Sequence, residues 1–83
     1  MTVYPNPAMN NFVVKYVLGK EARLLVAEVF DVTGRSVYAK GLNATQNGEF
    51  NIELAPCSGV YSVRLMADGL PVSFAKLICF NRQ

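Results

Sequence analysis

Apolar residues in this chain recur at every second position, in short runs broken by turn residues. Glu49-Phe50-Asn51-Ile52-Glu53-Leu54 alternates strictly, with Phe50, Ile52 and Leu54 on one face. Val60 to Ala67 repeats the pattern, with Tyr61, Val63 and Leu65 inward and Ser62 and Arg64 outward. No segment sustains the 3.6-residue spacing of an amphipathic helix. Strand formers are abundant: 11 Val, 2 Ile, 3 Thr and 9 aromatics in 83 residues. The chain is therefore expected to be all-β, one domain over residues 1–83, with about six or seven short strands in an antiparallel sandwich.

The remaining strands follow from the same alternation. Asn11 to Val17 sets Phe12, Val14 and Tyr16 on one face. Leu24 to Val32 is the most apolar segment. Glu28 interrupts its even face, so Leu25, Ala27 and Val29 are expected inward and Phe30 partly exposed. Asp31-Val32-Thr33-Gly34-Arg35 reads as a hairpin connection, with Gly34 left-handed and Asp31 bonding backbone amides two residues on. Arg35 to Lys40 is a short strand carrying Val37 and Ala39, with Tyr38 outward. Gly41 to Gly48 is polar and reads as the longest loop. Asp68-Gly69 is a hairpin signal before the last strand, Val72 to Phe80. Tyr4-Pro5-Asn6-Pro7 lacks two N–H donors and is expected to form a stiff edge or entry segment.

Much chemistry is excluded by absence. The sequence has no His and no Trp. Ser–His and Cys–His nucleophiles and most zinc sites therefore drop out, and neither a metal nor a cofactor is expected. Glu49 and Glu53 share an outward face but stand roughly 13 Å apart by strand rise, too far for a glycosidase pair. The net charge of +2, with Arg35 and Lys40 the nearest approach to a basic stripe, does not point to nucleic acid. No apolar run approaches the roughly 18 residues of a membrane span. Met1-Thr2-Val3-Tyr4-Pro5 has neither a basic n-region nor an apolar h-region. Two readings remain: a cytoplasmic protein, or part of a longer protein whose signal lies elsewhere. Strand-like sequence from Val3 onward favours the second.

Cys57 and Cys79 depend on register. A three-residue loop, Ala67-Asp68-Gly69, sets Cys57 directly opposite Cys79 and permits a disulfide. A two-residue loop at Asp68-Gly69 sets Ser58 there instead. On the last strand, Lys76 is costly to bury unpaired, so its face should point outward. Ala75, Leu77 and Cys79 then pack inward, with Ser73 near the hairpin end. Phe74, Lys76, Ile78 and Phe80 form a candidate docking surface, beside a sheet edge open to strand addition. A homodimer contact is an alternative cover for that face.

The order of motifs carries a resemblance. Tyr4-Pro5-Asn6-Pro7 comes first, then Asp31-Val32-Thr33-Gly34-Arg35, then Gly59-Val60-Tyr61, Asp68-Gly69 and Lys76-Leu77-Ile78 near the end. Together they resemble the type A C-terminal sorting domain of the type IX (Por) secretion system of Bacteroidetes, over essentially the whole chain. The tail, Cys79-Phe80-Asn81-Arg82-Gln83, is less basic than endings common in that family. The resemblance implies an immunoglobulin-like sandwich, at the C-terminus of a larger exported protein, that directs its cargo across the outer membrane. It implies as partners an outer-membrane translocon, its shuttle components and a sortase-like peptidase acting upstream. It implies transit through the periplasm to the cell surface or medium, and no catalysis by the domain itself. Tyr4, Pro5, Asn6, Pro7, Asp31, Gly34, Arg35, Gly59 and Tyr61 are then the family-motif positions, structural or recognised. The competing function is an immunoglobulin-like adhesion module for glycan or protein. A glycan platform needs exposed flat aromatics, and Tyr38 is the outward tyrosine expected here.

Overall fold

In the computed structural model, residues 1–19, 22–42, 47–54 and 58–80 are described. They form seven strands and no helix: β1 (Thr2–Tyr4), β2 (Asn11–Val17), β3 (Leu25–Phe30), β4 (Ser36–Leu42), β5 (Asn47–Glu53), β6 (Gly59–Ala67) and β7 (Leu70–Cys79). The strands pair antiparallel into a three-stranded sheet, order β1-β2-β5, and a four-stranded sheet, order β4-β3-β6-β7. The two sheets pack face to face as a sandwich. β1 and β7 are edge strands of opposite sheets and lie against each other.

Alternation decides which residues fill the space between the sheets. Phe12, Val14 and Tyr16 from β2, Leu25, Ala27 and Val29 from β3, Ile52 from β5, and Val63 and Leu65 from β6 are buried as expected. Leu77 and Cys79 from β7 join them, and Lys76 stays exposed. Burying each large aliphatic side chain contributes about 1.5–3 kcal/mol, which fixes strand register wherever one face is covered.

Three expectations are corrected. The polar segment from Gly41 to Gly48 is not all loop. Gly41 and Leu42 pair with Val26 and Leu25, and Asn47 and Gly48 pair with Val17 and Tyr16. β4 and β5 are edge strands, so backbone pairing extends through residues whose side chains bury little. Residues 43–46 lie outside the described residues. Tyr38 does not point outward. β3 and β4 shift register between Val29 and Phe30, pairing Val29 with Tyr38 and Phe30 with Ser36. The intervening Val37 is the extra residue of a bulge, so Val37 and Tyr38 both pack on the core while Ala39 is exposed.

The third correction concerns the β6–β7 register. Asp68 and Gly69 both have positive φ, 52° and 83°, as a two-residue hairpin turn requires. Ala67 faces Leu70 and Met66 faces Pro71, then the register shifts and Leu65 faces Ser73. Pro71 has no N–H for the ladder, and the extra residue, Val72, sits beside it. This bulge carries Cys79 past both anticipated partners to face Gly59. Cys79 is buried and disulfide-bonded, while Cys57 lies outside the described residues.

Gly34 has φ of +87°, with open space where a Cβ would stand. The constraint there is conformational rather than steric. Gly34→Val is expected to destabilise the domain by about 1 kcal/mol or more, read as a lowered melting temperature. An unchanged melting temperature would show that the turn adapts.

Candidate recognition surface and the motifs around it

The first motif is a crossing between sheets. β1 belongs to the three-stranded sheet, yet Ala8, four residues past Tyr4, bridges Cys79 of the other sheet. The Ala8 amide donates to the Ile78 carbonyl at 2.8 Å, and the Phe80 amide donates to the Ala8 carbonyl at 2.8 Å. Asn6 adds a two-pronged clasp. Its Nδ2 donates to the Lys76 carbonyl at 2.9 Å, and its Oδ1 accepts the Ile78 amide at 3.0 Å. Contrary to expectation the chain is not extended here: the Tyr4–Pro5 and Asn6–Pro7 peptide bonds are cis and residues 5–7 bend, while the two prolines bring no amides that would need partners in the crossing. The segment therefore binds the sandwich edge along β7 rather than merely stiffening an entry. The Tyr4 hydroxyl donates to Glu49 Oε2 at 2.9 Å, and this bond to a carboxylate pushes the phenol's pKa up.

The second motif is a self-contained turn. Asp31 Oδ1 accepts from the Thr33 hydroxyl at 2.6 Å, the Thr33 amide at 2.9 Å and the Arg35 amide at 3.1 Å. The Thr33 hydroxyl bond first, then the backbone amides, hold the Asp31 carboxyl below its usual range. The Arg35 guanidinium approaches Asp31 Oδ2 at 3.5 Å and is otherwise wet. The third motif is a strand entry. Gly59 has φ of +103° and no atoms crowding a Cβ position, so its left-handed backbone rather than steric crowding favours glycine. Tyr61 is half-buried. Its hydroxyl donates to the Ser58 carbonyl and accepts the Ser58 amide, both at 3.2 Å.

The outward face of β6 and β7 has a different character. Phe74 is 67% exposed, Phe80 55% and Ile78 38%. Register adds Val60 opposite Ile78, Ser62 opposite Lys76 and Arg64 opposite Phe74. Phe80 sits just past the end of β7. Arg64 donates to Glu28 Oε1 at 2.7 Å and lies 4.7 Å from the Phe30 ring centroid. Glu28 is held below the usual carboxylate range by its bond to Ser36 first and to Arg64 second. With Arg64 neutralised, Lys76 is the cation of the strip, and it makes no ion pair among the described residues. The sequence reading found the β7 residues and missed Val60, Phe30 and Arg64. The pairing of β6 with both β3 and β7 brings them together. Among the described residues no group of three His, Cys, Asp or Glu is placed to hold a metal ion.

Residues 2–79 match the family model for the secretion system C-terminal sorting domain. The chain belongs to that family. It matches no curated protein and no solved structure. As a sorting domain of type IX secretion, it is a signal for export to the cell surface or beyond, and it works with that secretion machinery. Most motif positions of this sorting domain have local structural work: Asn6 ties an edge, Asp31 and Gly34 close a turn, and Gly59 and Tyr61 start a strand. Asp68, in the hairpin turn, accepts the Arg23 and Leu24 amides at 2.9 and 2.8 Å and docks the β6–β7 hairpin.

Asn6→Ala removes both clasp bonds. It is expected to cost about 1 kcal/mol and to speed hydrogen exchange at the Ile78 amide. A variant with wild-type exchange there would refute the clasp.

Proposed function

We propose that the sorting domain is read by its machinery through the outward face of β6 and β7, with Phe74, Lys76, Ile78 and Phe80 as the docking residues. The observation that carries this is the exposed apolar side chains of Phe74, Ile78 and Phe80 on one face, around Lys76 and with Val60 beside Ile78. Scattered exposed apolar residues need no explanation, but a contiguous patch is a site of association. Residues 1–83 act as one non-catalytic domain at the C-terminus of a larger exported protein. The cargo passes the periplasm, the domain engages the outer-membrane translocon or its shuttle, and a sortase-like peptidase cuts upstream of it. An immunoglobulin-like fold is supported by strand order: β1-β2-β5 corresponds to A-B-E, and β3-β6-β7 to C-F-G with β4 beside C. Tyr38, the tyrosine expected outward for a glycan platform, packs against the core, which counts against that form of the adhesion alternative.

Two experiments bear on this reading. Phe74→Ser with Ile78→Thr, in a reporter carrying residues 1–83, should leave the melting temperature within a few degrees yet sharply reduce export. Leu77→Asp should instead unfold the domain by placing a charge at a fully buried position. Normal export by the folded double variant would sink the docking face, and a dimer dissociated by that variant would reassign it to self-association.

Cys57 is the proposed disulfide partner of Cys79. Protein made in an oxidising compartment should show no titratable thiol after denaturation. Two reactive thiols would refute the bond.

A further inference from the structure

β1 covers β2 only from Val13 to Lys15, although β2 continues to Val17. Beyond Met1, on the side of β2 that β1 occupies, a cleft of about 660 Å³ opens between the two sheets. Tyr16, Leu18, Leu65, Ala67 and Leu70 line it. Its rim leaves Val17 73% and Leu70 67% exposed, while Leu18 at its floor is buried. Large apolar residues are thus wet around a cavity that continues the core.

We propose that this cleft is the seat of the residues immediately preceding Met1 in the exported protein, which extend β1 along β2. The inference rests on the reading that a cargo precedes the domain. Register gives the placement. Thr2 faces Lys15 and Val3 faces Val14, so Met1 falls opposite Tyr16. The residue before Met1 then falls opposite Val17, and the one before that opposite Leu18. Alternation gives the orientation. Val3 is buried, and Met1 packs on both core clusters. The next inward position is two residues before Met1, directly over Leu18, Leu65 and Leu70, and an apolar side chain there fills the cleft. The pairing continues an existing interface, and ladder alternation, with Asn10 bonded to Leu54 on the β5 side, turns the Val17 backbone toward the added strand. The junction with the cargo is therefore structured rather than a free tether, and the first flexible residues lie upstream of that strand.

The test uses the full-length precursor, once with its native junction and once with the four residues before Met1 replaced by Gly-Ser-Gly-Ser. Hydrogen exchange is measured at residues 16–19, and export of both forms is scored separately. The native junction should slow exchange there by about tenfold or more relative to the replacement. Leu70→Asp, on the exposed rim, should abolish that difference while exchange at Val29 and Val63 stays slow. Equal exchange in the two precursors overturns the proposal, as does a gene in which Met1 is the first residue. Export is the independent readout. A precursor that shows the protection but is not exported keeps the strand extension and defeats the sorting reading, and the converse defeats only the extension.

Discussion

The crossing at residues 6–8 gives the contact between the two sheets a direction. The apolar side chains packed between the sheets attract strongly, but that attraction is insensitive to sliding. Asn6 and Ala8 instead bond to the backbone of Lys76, Ile78 and Phe80 while β1, just upstream, bonds to β2. One short segment thus fixes where the edge of the first sheet stands over the edge of the second. Ala8 is fully buried there, and the Met9 carbonyl oxygen lies 2.9 Å from Cys79 Sγ. The same residues seal the end of the core at which β7 terminates. A motif of two prolines around an asparagine is well suited to this, because the asparagine side chain alone mimics a backbone amide and carbonyl.

The inward faces were legible because alternation and burial obey the same period. Every residue placed inward on β2, β3 and β6 packs in or against the core, down to Phe30 being half-exposed beside Glu28. What the sequence did not reveal is where one residue is inserted. Two bulges, at Val37 and at Val72, each add a residue to one strand of a pair. The first turns Tyr38 inward, and the second moves Cys79 by one position along β6. Neither carries a glycine to mark it, and Pro71 is a signal only once β7 is known to be an edge strand. The polar composition from Gly41 to Gly48 misled for a related reason. Edge strands are held by their backbone, which composition does not record.

The candidate site was half legible for the same cause. Phe74, Lys76 and Ile78 lie on one strand, so period two alone puts them on one face. Val60 and Arg64 come from β6 beside β7, Phe30 and Glu28 from β3 on the far side of β6, and only the register between strands brings them together. The ion pair and the ring contact make Arg64 part of the wall rather than a free charge. The strip that results is apolar with a single cation near its middle, a pattern suited to a partner surface that is apolar with an acidic group.

The proposed docking on β7 has two conceivable routes, its edge and its face, and the bonds already made along the edge argue for the face. Adding a strand along Lys76–Phe80 would first break the two Asn6 bonds and the two Ala8 bonds. At about 0.5–1.5 kcal/mol each, that is a substantial share of a small domain's stability of about 5–15 kcal/mol. It would also expose Ala8 and unseat Cys79. At the other end of β7, Pro71 and the bulge interrupt the ladder, and both are devices that protect edges. The outward face asks for no such rearrangement. Phe74, Ile78 and Phe80 are already exposed, on a strand whose inner side is anchored by Leu77 and Cys79. A machine that must read a folded label without opening it gains most from such a surface, because the partner's apolar contact adds to the domain's stability instead of competing with it.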